Sequence, residues 1–104
     1  MNFREFYNQE ESFEKPNSLT QEEIQILKNY GFQISKNKKS AVKKYEDFYV
    51  DVYSDTKQTT MVLKLADTQP EVELSSTKNK YLTDKIVQNF LNLVEEKIKN
   101  YKEI

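Results

Sequence analysis

The 104-residue chain carries 16 basic and 17 acidic side chains, a net charge of −1, with seven tyrosines, one glycine (Gly31) and no histidine, cysteine or tryptophan. Those absences remove imidazole and thiolate metal sites, Ser-His-Asp and Cys-His nucleophile pairs and disulfides, and a single glycine cannot build a phosphate-cradling Gly-rich loop. Leu, Ile, Val and Phe make up about a quarter of the residues, enough for one thin core but not for a large cofactor cavity as well, so no cofactor is expected.

Residues 1–18 form an acidic, aromatic segment in which Phe3, Phe6, Tyr7, Glu10 and Phe13 recur at steps of three or four. That spacing suits either a short amphipathic helix over 3–14 or a leader whose phenylalanines dock loosely on the body. Pro16-Asn17-Ser18 ends it, and residues 19–104 read as a single domain. Thr20 and Glu23 are spaced as a capping box, with Leu19 and Ile24 as the flanking hydrophobic staple. Ile24, Leu27 and Tyr30 make an inward stripe, and Gly31 stands where a left-handed residue would end the helix, which is predicted over 21–30.

After Gly31 the period falls from about 3.6 to 2. Phe32 and Ile34 alternate with polar residues, and 36–40 reads as a loop. From Asp47 to Asp55 the alternation is complete, with Phe48, Val50 and Val52 on one face and Tyr49, Asp51 and Tyr53 on the other. Turn residues at 55–58 and 67–70 then separate two further inward rows, Met61, Leu63 and Leu65, and Val72 with Leu74. A four-stranded antiparallel meander is the simplest assembly. From about Asn79 to Tyr101, Leu82, Ile86, Phe90, Leu93, Val94, Ile98 and Tyr101 form a long helical stripe. The expected fold is α+β: a helix, the meander and a long C-terminal helix packed on one sheet face.

Catalysis has little to stand on. The adjacent pairs Glu10-Glu11, Glu22-Glu23 and Glu95-Glu96 fall on predicted helices, where sequence neighbours diverge by about 100°. A metal-dependent nuclease with one acid on a strand and Glu-x-Lys on the next would resemble Asp51 followed by Val62-Leu63-Lys64, but valine occupies the second acid position. No enzymatic activity is expected.

Charge sorting is the positive signal. Residues 1–23 hold 2 basic and 6 acidic groups, 24–45 hold 6 and none, 46–76 hold 2 and 7, and 77–104 hold 6 and 4. Segregated blocks create local fields that orient an approaching partner. In the third block Tyr49, Asp51, Tyr53 and Asp55 share a strand with Glu71 and Glu73 nearby, a surface suited to a protein partner with a basic groove, in the manner of a nucleic-acid mimic. The second block offers nucleic-acid binding instead, through Lys36, Lys38, Lys39, Lys43 and Lys44, on a basic hairpin or on a helix-turn-helix with its recognition helix over 36–45.

Lysine outnumbers arginine 15 to 1, asparagine and isoleucine are plentiful, and no apolar run exceeds three residues. The usage suits an AT-rich coding source, the runs exclude a membrane span, and the missing cysteine points to a reducing, cytoplasmic compartment. The sequence-level expectation is a non-enzymatic binding module, in its finer form a phage or mobile-element inhibitor of a nucleic-acid-processing or host defence protein.

Overall fold

The computed structural model describes residues 16–102, so the helix-or-leader question at 3–14 lies outside the described residues. Helix α1 spans Gln21–Asn29. Its capping box closes in both directions: the Glu23 amide donates to Thr20 Oγ1 at 3.1 Å, and the Thr20 amide donates to Glu23 Oε1 at 2.9 Å. Leu19 and Ile24 are buried as the staple requires. The helix stops because Gly31 takes φ +89°, a backbone that L side chains resist, while the Gly31 amide donates to the Lys28 carbonyl.

Five antiparallel strands follow in the spatial order of the sequence: β1 Gln33–Ile34, β2 Ser40–Lys44, β3 Phe48–Ser54, β4 Thr59–Leu65 and β5 Val72–Asn79. The expected count of four is one short, because Ser40–Lys44 lacks apolar alternation and hides as a charged stretch. Its two inward positions hold only the small Ala41 and the charged Lys43, opposite the fully buried Val52 and Val50. Lys43 is tolerated there because its ammonium donates to the Tyr30 carbonyl at the C-terminal end of α1, where a cation complements the helix dipole. A strand at 40–44 also removes the recognition helix of the helix-turn-helix reading.

Helix α2 spans Asp84–Lys102 and starts later than the periodicity suggested, since Ser75–Asn79 extends β5. Thr83 begins it: its carbonyl accepts from the Val87 amide and its hydroxyl from the Ile86 amide. Val87, Phe90, Leu91 and Val94 are buried and Ile86, Leu93 and Ile98 pack against the core, so the inward stripe is the expected one widened by Val87 and Leu91, while Tyr101 is exposed and meets Phe48 in a T-shaped contact. These side chains and those of α1 cover one sheet face, enclosing Phe48, Val50, Val52, Met61 and Leu63. Each such buried aliphatic side chain contributes about 1.5–3 kcal/mol relative to exposure.

Glu23 joins the layers. Beyond its part in the cap, Oε2 accepts from the Thr59 hydroxyl of β4 at 2.9 Å and from the Leu82 amide ahead of α2 at 2.8 Å, in a position only 1% exposed. No helix among the described residues is long and apolar enough to cross a membrane.

Candidate functional site

Directly opposed residues of antiparallel strands share a face, so the register defines the side that neither α1 nor α2, the helices of the described residues, covers. It consists of three rows across the strands: Ser40–Tyr53–Thr60–Lys78, then Gln33–Val42–Asp51–Val62–Ser76, then Lys44–Tyr49–Lys64–Glu73. Its centre is closed, with Val62 1% exposed, and its margins are open, with Tyr53 42% exposed. This face is therefore a rim around a packed middle rather than a uniformly open ribbon.

Lys64 organises that middle. Its ammonium donates to Glu71 Oε1 at 3.0 Å, lies 3.7 Å from Asp51 Oδ2 and stands 5.9 Å from the Tyr49 ring centroid. Tyr49 donates a weak hydrogen bond of 3.4 Å to Glu71 Oε2. The hydrogen bond from Lys64 holds the exposed Glu71 carboxyl below its usual range, and the same bond raises Lys64. Asp51 moves the other way: burial raises it, and the lysine at 3.7 Å does not offset the lost water. Burial likewise raises the Tyr49 phenol.

The predicted acidic patch thus separates. Tyr49, Asp51 and Glu71 converge, Tyr53 shares their face one row away, and Glu73 lies across from Lys64. Asp55 instead shapes the β3–β4 turn, its Oδ1 accepting from the Lys57 and Gln58 amides. Counting the three rows with Glu71, three lysines meet three carboxylates, so the face is mixed in sign. Sequence reasoning missed Lys64 as a member; the signal was its place in β4, two residues beyond Val62 on the same side. Asp51 and Lys64 do meet as in the nuclease pattern, yet the residue opposite Asp51 is Val62.

The predicted basic block also separates. Lys36, Lys38 and Lys39 ride on the β1–β2 turn, where Asn37 Oδ1 accepts from the Lys39 amide and the Lys38 carbonyl accepts from the Leu19 amide. Lys38 takes φ 62° there, a conformation non-glycine residues adopt at tight turns. Lys43 caps α1 and Lys44 joins the outer face. Beside Lys44, a concavity of about 410 Å³ is lined by Tyr45, Glu46, Tyr49 and Asp67 among others. Burial raises the Tyr45 phenol, and Glu95 of α2 adds to the effect.

Comparison with protein-family models, with curated proteins and with solved structures finds no match.

Proposed function

We propose that this chain is a non-enzymatic protein-binding module that docks through the face of its sheet opposite the two described helices. The observation that carries this reading is the contrast within that face: a closed centre at Val62, braced by the Lys64 cluster, inside a rim that presents Tyr53 and the carboxylates of Glu71 and Glu73. Interfaces combine a rigid middle with aromatic contacts of low conformational cost, and tyrosine supplies both area and a hydrogen bond. The concavity between Tyr45 and Tyr49 gives a partner side chain a place to enter. A partner with cationic groups at the Glu71 and Glu73 margin and apolar groups over Tyr53 fits best.

The finer reading, an inhibitor of a nucleic-acid-processing or defence protein, draws its support from composition and charge sorting. Lys64 at the centre weakens the mimicry part of it, because a mimic needs a continuous anionic surface. A second reading has its own observation: Lys36, Lys38 and Lys39 are all exposed on one hydrogen-bonded turn, an arrangement suited to phosphate contacts of a salt-sensitive, sequence-independent kind.

Photo-cross-linking in extract of the native host tests the first reading. A cross-linkable residue at Ser40, beside Tyr53 in the register, should capture a discrete protein, and Tyr53→Thr should abolish the capture. The same residue at Gln88, on the exposed side of α2, should capture nothing specific. Capture at Gln88 and none at Ser40 would sink the docking face. A shift of generic duplex that disappears with Lys36→Gln, Lys38→Gln and Lys39→Gln would favour the lysine turn instead.

A further inference from the structure

The two edges of the sheet are unequal. Edge strand β1 has two residues, whereas β5 has eight, and among the described residues nothing pairs with the outer side of β5. A long edge of unpaired N–H and C=O groups is a template for another strand, and proteins usually shorten, cover or charge such an edge. The charges on this one are Glu73 and Lys78, both exposed and neither in an ion pair among the described residues.

Their spacing fits a second copy of the same strand. Place a two-fold axis at Ser76, so that two β5 strands run antiparallel with Ser75 of one opposite Thr77 of the other. Both residues belong to the helix-covered face, because they oppose Leu63 and Met61 of β4. The irregularity around Leu74 then lets Glu73 of one copy meet Lys78 of the other, and both of these lie on the outer face, opposite Lys64 and Thr60. Val72 comes opposite Asn79. The register is consistent in face at every step, and slipping it by one residue would set outer side chains against inner ones. Symmetry makes two Glu73–Lys78 contacts, one at each end. On the helix side of the same edge, a groove of about 330 Å³ lined by Thr77, Asn79, Ile86, Phe90 and Leu93 leaves Ile86 and Leu93 half-buried, where a second copy would cover them.

We infer that the chain forms a two-fold homodimer by antiparallel pairing of its β5 edges, joining two five-stranded sheets into one continuous sheet. Of the residues proposed to meet a partner on the docking face the inference shares only Glu73, and it does not depend on that reading, so Tyr53→Thr should leave the dimer intact.

Sedimentation equilibrium at low ionic strength, over concentrations reaching the millimolar range, tests it. The native chain should dimerise. Glu73→Lys alone and Lys78→Glu alone each place like charges at both contacts and should weaken the dissociation constant about tenfold or more. Mixing the two variants restores both attractive pairs, so the mixture should associate at least as tightly as the native chain. The exchange also controls for folding, since two misfolded variants would not rescue one another. A monomer at every concentration, a dimer that neither variant weakens, or a mixture no tighter than its components would each overturn the inference.

Discussion

Among the described residues each side of the sheet buries one charged side chain, and the two are held in different ways. Beneath the helices, Glu23 is 1% exposed and accepts hydrogen bonds on both oxygens from the α1 cap, from Thr59 and from the Leu82 amide, with no cation at ion-pair distance among the described residues. On the outer face, Lys64 is 9% exposed and held by carboxylates, of which Glu71 has a side chain 60% exposed. Donors fixed on backbone and on a buried hydroxyl cannot turn to water when their acceptor is lost. An exposed carboxylate can. The inner charge is therefore a joint of the fold, and the outer charge organises a surface.

The comparison breaks first at Glu23. Glu23→Ala should cost at least about 3 kcal/mol, because the Leu82 amide and the Thr59 hydroxyl lose a charged acceptor in a buried site. Glu23→Gln keeps one carbonyl acceptor and should cost less, about 1–2 kcal/mol. Urea midpoints for the two variants decide the matter. If alanine and glutamine were equally mild, Glu23 would be an ordinary cap residue and the contrast with Lys64 would fail.

What the sequence exposed about this fold follows the same line. Thr20, Glu23 and Gly31 announced α1 because capping is a local interaction, legible within a few residues. β3 announced both its faces because Phe48, Val50 and Val52 have helix-covered neighbours while Tyr49, Asp51 and Tyr53 do not. β2 stayed hidden because Lys43, an inward residue, owes its place to the carbonyl of Tyr30 thirteen positions earlier. The start of α2 was misplaced because Ser75 and Thr77 occupy inward strand positions without being apolar. In the candidate site, Tyr49 and Asp51 were legible from alternation; Lys64 and the second role of Glu23 were not, since both depend on strands or loops meeting across the sheet.

Lys64→Met is the milder counterpart of the Glu23 change. The exchange removes a cation from Asp51 and Glu71 but keeps the packed stem, and stability should change by no more than about 1 kcal/mol in either direction. A loss as large as that of Glu23→Ala, read from the same urea titrations, would make both charges joints of the fold.

The acid limb separates the partners of Lys64. Glu71 is depressed in the folded chain, so over the window between its lowered and ordinary values the unfolded state binds more protons, and stability present above that window is lost as pH falls through it. Asp51 is raised, so its ionised form disfavours folding, and protonation as pH falls through the raised value relieves that cost. Glu71→Gln should flatten the acid loss of stability, whereas Asp51→Asn should steepen it by removing the opposing contribution. Urea midpoints followed from neutral pH downward measure both slopes. Identical slopes for the two variants would mean that Lys64 does not discriminate between its carboxylates.

The smallest change in stability belongs to Tyr53→Thr, and it has the largest consequence for the proposed role. Tyr53 is exposed, and threonine, β-branched, is like tyrosine a residue favoured in strands, so the fold should shift by no more than about 0.5 kcal/mol. Binding should nevertheless disappear, because in the proposed interface Tyr53 supplies contact area while the Lys64 cluster supplies rigidity. Calorimetry with the captured partner, beside thermal melts of the same sample, separates these effects. Unchanged affinity with Tyr53→Thr would move the contact away from the rim. A melt lowered as far as that of Glu23→Ala would show instead that the outer tyrosine supports the fold.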